Sequence, residues 1–150
     1  MIRKGNNCWV CGVENRSGLG VRFEPEGTNG SRAYYTARPD HGGWPGVLHG
    51  GVALTLMDEA FGWSLYFHGS AGLTARFDAR LRHQIPIGAE LVVRAWTTEK
   101  RKRFAKARAE IRQDSATGRL LAEANATMFL IVREPASVES SSEGARGLED

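Results

Sequence analysis

Cysteine is scarce in this chain. It supplies two of 150 residues, alongside five prolines and no apolar run of the roughly 18 residues that a membrane span needs. Each shortage excludes something. Two thiols, Cys8 and Cys11 in CWVCG, cannot build a disulfide framework, and a closed zinc site takes about four ligands. A redox Cys-x-x-Cys pair would follow a strand, and none leads into this one. The segment reads as a turn with reduced thiols and no metal. The alternative is a half-site completed by His41 or by the same pair from a second subunit. The opening MIRKGNNCW has a basic start but lacks the apolar core of a signal peptide. Asp58 and Glu59 interrupt the most apolar segment, so the expected setting is cytoplasmic, away from membranes.

The remaining composition is ordinary: 41% hydrophobic and 25% charged, in a length that suits one domain. Charge is unevenly spread. Positions 134–150 hold five acids against Arg146, a net −4, which leaves +7 on the rest within a total of +3. A basic body attracts polyanions, whether nucleic acid or a phosphate-bearing cofactor. No helix-turn-helix and no platform mixing aromatic with basic residues is visible, so nucleic acid is not the expected partner. The Ser-, Gly- and Glu-rich stretch 134–150 has almost nothing to bury and is expected to be disordered. The resulting division is a cysteine-containing segment at 1–20, a folded domain at 21–133 and the tail.

Hydrophobic periodicity supplies the elements. Strands are expected at 21–25 and 31–37, followed by a Gly- and Pro-rich loop and a helix from 51 to about 67. Next comes an alternation of Leu73, Ala75, Phe77, Ala79 and Leu81 against Thr74, Arg76, Asp78, Arg80 and Arg82, the period of a strand with one buried face. Strands at 89–99, 104–113 and 120–132 follow, joined by hairpin-sized connections. Ala105, Ala107, Ala109 and Ile111 form a face small enough for a helix to approach closely. The class is α+β, an antiparallel sheet wrapped around one long helix that is apolar on nearly every side.

That helix begins in WPGVLHGGVALTLMDEAFGW. At 100° per residue, Gly51, Thr55, Asp58 and Gly62 fall on one stripe, and Glu59 turns away from it. Gly50 and Gly51 stand at the helix start, where backbone N–H groups lack intrahelical acceptors and the macrodipole is positive. Donors fixed there suit a carbonyl oxygen that gains negative charge. A carboxylate about 10 Å further along would reach the same ligand more readily from a neighbouring subunit's helix. Acyl transfer fits this arrangement. A helix start needing unusual backbone angles, with Asp58 merely hydrogen-bonded or paired to an Arg, is the plainer reading.

His49-Gly50-Gly51 followed by Asp58, in this element order, resembles the hotdog-fold acyl-CoA thioesterases of the PaaI-like branch. GLTARFDARLRHQIPIG and CWVCGVENRSGLGVRF also resemble segments of that branch. The resemblance implies hydrolysis of a small, medium or aromatic acyl-CoA, by a homodimer or a dimer of dimers, with no cofactor. Gly50, with Gly51 beside it, would polarise the thioester carbonyl. Asp58 would activate water or act as nucleophile, His49 would orient the carbonyl or its loop, and Thr74 would support the attacking water. Glu59 is carried as a further substrate-side acid, with a structural pairing as its plainer reading. Lys100, Arg101, Lys102 and Arg103 are the candidates for coenzyme A phosphates, with Arg80 and Arg82 as rivals. Relatives often place Asn or Gln six residues before the histidine, where this chain has Gly43; His41 or Trp44 could take that place. A non-catalytic acyl-CoA binding module on the same fold is the alternative function.

Overall fold

The computed structural model describes residues 5–131, so the expected tail at 134–150 and the last residues of the expected domain lie outside the described residues. Strands β1 (Phe23–Glu26) and β2 (Gly30–Thr36) form a hairpin, and a single 3-10 turn (Pro39–His41) follows. Helix α1 runs Gly50–Tyr66, and four strands complete the element order: β3 (Gly72–Leu81), β4 (Glu90–Lys100), β5 (Phe104–Gln113) and β6 (Leu120–Leu130). The six strands make one antiparallel sheet in the order β1-β2-β4-β5-β6-β3. Expected and observed elements agree in type, and their ends differ by the residue or two at which helices and strands fray.

Alanines make the floor on which α1 lies. Ala105, Ala107 and Ala109 on β5 and Ala122, Ala124 and Ala126 on β6 are all buried, and so is Ile111. Side chains this small let the helix axis approach the sheet. Val52, Ala53, Leu56, Met57, Ala60, Phe61, Ser64 and Leu65 fill the space between them. Ser31 and Ser64, the buried polar residues, donate to the Ala60 and Phe61 carbonyls at 2.8 Å, so neither hydroxyl is left unsatisfied. The helix ends where Gly69 takes φ +81° and Ser70 N–H reaches back to Leu65 O at 3.0 Å.

The N-terminal segment shares this core. Val10 and Leu19 are buried, and Leu19 N–H and Val21 N–H donate to the Trp9 and Val10 carbonyls at 2.8 and 2.9 Å.

One expectation fails on β3. Its five alternating apolar residues are not buried together: Leu73 is 66% and Leu81 48% exposed, and Phe77 alone of the five reaches the core, edge-on against Phe61. β3 is the last strand of the sheet, so one backbone edge has no neighbour among the described residues. The helix correspondingly buries one side only. Asp58 is exposed, and Gly51, Thr55 and Gly62 on the same stripe are half-buried.

Candidate active site

The loop before α1 determines the geometry of the helix start. Leu48 N–H donates to Ile85 O and His49 N–H to His41 O, which fix the approach of the chain. His49 is the N-cap: its Nδ1 accepts from Gly51 N–H at 2.8 Å. A neutral ring accepting at Nδ1 carries its proton on Nε2. The Gly51 donor is therefore occupied by the chain's own histidine. The Gly50 N–H has no acceptor among the described residues, and it lies at the positive end of the helix. Of the two glycines, Gly50 holds the donor open to a ligand.

A cavity of about 510 Å³ adjoins this point, lined by Gly43, Trp44, His49, Gly50, Leu81 and Ile85 among others. Gly43 is packed against His49, since a Cβ built there would stand 3.1 Å from His49 Cα. Trp44 lies on the cavity wall and is 84% exposed, whereas the ring of His41 is engaged elsewhere, with Tyr35 Oη and Arg38 Nη2. Burial and the neighbouring Arg38 charge both lower the His41 pKa. His41 braces the loop and does not face the cavity.

Asp58 is not part of that wall. It stands eight residues, about 12 Å, further along the helix, with its carboxylate accepting from Thr74 Oγ1 at 2.7 Å. It makes no ion pair among the described residues. A β-bulge puts Thr74 there. The β3–β6 register shifts between Thr74 and Arg76, so Thr74 and Phe77, which strict alternation would send to opposite faces, both reach the helix.

The other expected residues go elsewhere. Glu59 turns from Asp58 toward Cys8, whose thiol is 3.7 Å from its Oε1, and the Trp63 indole donates to that oxygen at 3.0 Å. Burial first, and then Glu59, push the Cys11 thiol up to about 12. Lys100 and the turn Arg101–Arg103 sit beyond the far end of α1, where Lys100 Nζ contacts Ser70 Oγ and Arg101 pairs with Glu99 at 2.8 Å. Seventeen helical residues, about 25 Å, separate that hairpin from Gly50. Arg82, on the cavity wall, pairs with Glu123 at 2.8 Å. One chain thus brings together His49, Gly50 and the cavity, and separately Asp58 and Thr74.

Residues 45–119, half of the chain, match the family described as the thioesterase superfamily, and the chain belongs to that superfamily. Solved structures show the same hotdog fold. A crystallised thioesterase superfamily protein is 26% identical with a TM-score of 0.73; the match covers 79% of this chain and 61% of that one, so this chain spans about three fifths of that relative. A hypothetical thioesterase protein from Streptococcus pneumoniae, solved with coenzyme A, is 17% identical with a TM-score of 0.70, covering 77% of this chain and 88% of that one. Alanine mutants of an aspartate and of a threonine sixteen positions apart in that protein have also been solved. A mutant of the phenylacetic acid degradation protein PaaI from Thermus thermophilus is 24% identical with a TM-score of 0.67, covering 74% and 93%. Among proteins with curated descriptions none matches. No helix among the described residues is long and apolar enough to cross a membrane.

Proposed function

We propose that this protein hydrolyses the thioester of a small, medium or aromatic acyl-CoA, as a PaaI-like homodimer in which each site combines Gly50 of one subunit with Asp58 of the other. The observation that carries this reading is two half-sites in one chain: a Gly50 N–H on a cavity wall with no acceptor among the described residues, and an exposed Asp58, held by Thr74, with no ion pair among them. About 12 Å along one helix is too far for one thioester carbon to serve both. Two helices lying antiparallel on their uncovered stripes would close that gap. The exposed β3 edge and Leu81 beside the cavity would be covered in the same contact. A dimer of dimers would further cover the outer row of Leu73, Phe129 and Phe104, which are neighbours across β3, β6 and β5.

The chemistry needs no further group. Asp58 takes a proton from water as the water oxygen attacks the thioester carbon. The carbonyl oxygen becomes an oxyanion and is held by Gly50 N–H at the helix start. Collapse expels the coenzyme A sulfur, which takes the proton from Asp58, leaving a carboxylic acid and the free thiol. Thr74 keeps the Asp58 carboxylate aimed, and the sixteen-residue spacing of this pair equals that of the aspartate and threonine mutated in the Streptococcus protein. The Lys100–Arg103 hairpin, at the opposite end of α1, would approach a ligand bound at the partner's Gly50 and could meet its phosphates.

The test is thiol release from a panel of acyl-CoA esters by the wild type and by Asp58→Asn. Turnover that collapses in the variant supports hydrolysis. Esters that bind without release in either protein would favour the non-catalytic binding module, a reading that the lack of a side-chain amide at Gly43 favours.

A further inference from the structure

Cys8 and Cys11 have no role in the thioester hydrolysis proposed above, yet the fold gives them more than a bare turn. Both Sγ atoms and a carboxylate oxygen of Glu59 lie within 4.8 Å of one another. The loop carrying the thiols is closed tightly. Gly12 N–H donates to Cys8 O at 2.9 Å, and Glu14 N–H to Asn6 O at 3.0 Å. A Cβ on Gly12 would stand 2.4 Å from Asn6 O and from Cys8 N, so only glycine permits this closure, which carries the second sulfur back beside the first. Glu59 comes from a different element, the middle of α1, 51 residues from Cys8.

We propose that Cys8, Cys11 and Glu59 form a zinc site. Two sulfurs and a carboxylate oxygen are donors that Zn²⁺ accepts in tetrahedral geometry, with roughly 2.3 Å to sulfur and roughly 2.0–2.2 Å to oxygen. Such bonds set the donors roughly 3–4 Å apart, which small side-chain rotations reach from the observed spread. On uptake each thiol gives its proton to solvent and binds as thiolate, Glu59 binds as carboxylate, and water completes the fourth position; no electron moves. The Trp63 indole, donating to Glu59, orients the carboxylate from outside the ligand set. His41 is excluded as a ligand because Tyr35 and Arg38 hold its ring. The ion would tie the N-terminal segment to α1 at the residue next to Asp58. Its role is then to position the helix, and it takes no part in a step of hydrolysis.

The test uses the full chain, reduced and stripped with a chelator, titrated with Co²⁺ and followed by absorption. One Co²⁺ per chain should produce a thiolate-to-metal charge-transfer band with the strong visible bands of a tetrahedral site, and Zn²⁺ should abolish both. Cys8→Ser with Cys11→Ser should remove the charge-transfer band. Glu59→Gln keeps an oxygen for the Trp63 indole, and should weaken Co²⁺ at least about tenfold and shift the visible bands, with circular dichroism unchanged. No charge-transfer band from the reduced wild type at equimolar Co²⁺ overturns the proposal, whatever the variants do. So does a folded Glu59→Gln protein with unchanged affinity and spectrum, which would leave Glu59 outside the ligand set.

Discussion

Thr74 Oγ1 donates to Asp58 Oδ1 at 2.7 Å from a strand position that regular alternation would turn away from the helix. The bulge beside Thr74 exists in a strand whose outer edge has no neighbour among the described residues, and bulges next to active sites commonly re-aim a side chain. If the hydroxyl aims the carboxylate, Thr74→Val should lower kcat about tenfold with little change in KM, and Thr74→Ser should restore most of it. Steady-state kinetics on the best substrate of the panel check this. Equal losses in the Val and Ser variants would point to packing.

Gly50→Pro is a clean deletion of the open donor. Position 50 is the first helical residue, where proline is tolerated, and His49 already holds φ −59° and ψ 129°, angles that suit a residue before proline. The only close neighbour of an added Cβ is Leu81 Cδ1 at 3.0 Å, the far end of a flexible side chain. Activity should fall by about 10²–10³ in kcat while the melting temperature stays within a few degrees. A fully active Gly50→Pro enzyme would remove this amide from the mechanism.

Inter-subunit sharing predicts complementation. Gly50→Pro and Asp58→Asn subunits, each inactive alone, should on mixing and re-equilibration form hybrid dimers with one intact site and one doubly defective site. Recovered activity should approach about one quarter of wild type for random pairing at equal amounts. Sites built within a single chain would show no recovery.

The β3 edge should be the dimer contact. Ala79 is exposed in the chain, so Ala79→Arg leaves the protomer's core untouched. Sedimentation should show dissociation to monomers at micromolar concentration, with loss of activity and retained circular dichroism. An active, dimeric Ala79→Arg protein would place the interface elsewhere.

Cys11 should be slow to alkylate in the reduced, metal-free protein. Its thiol is raised from an ordinary 9.0 to about 12, so at pH 8 it holds roughly a thousandfold less thiolate than an unperturbed cysteine, and the thiolate is the nucleophile. Mass spectrometry after timed iodoacetamide treatment should show Cys11 modified only when denaturant is added. The linked stability effect has a definite sign. Because the folded pKa is the higher one, the contribution is whole below pH 9.0 and is lost as pH rises toward about 12.

Sequence alone determined the element types, the single helix, and the wrapping sheet with its alanine face at Ala105, Ala107 and Ala109, because these follow from local periodicity and side-chain size. It also set Gly50 and Gly51 at the helix start and Asp58 on one stripe with Gly51, since helical geometry relates residues that are close in the chain, whereas His49 entered only through the family resemblance. Tertiary structure decided what depends on neighbours far away in sequence. His49 takes the Gly51 amide and leaves Gly50 open. The bulge delivers Thr74 to Asp58. Of the alternating apolar residues of β3 only Phe77 reaches the core, because the bulge leaves Leu73 in the outer row with Phe129 and the strand falls at the sheet's end. Glu59, adjacent to Asp58 in the chain, belongs instead with Cys8 and Cys11, because one step along a helix is a turn of about 100° and points the carboxylate at another part of the fold.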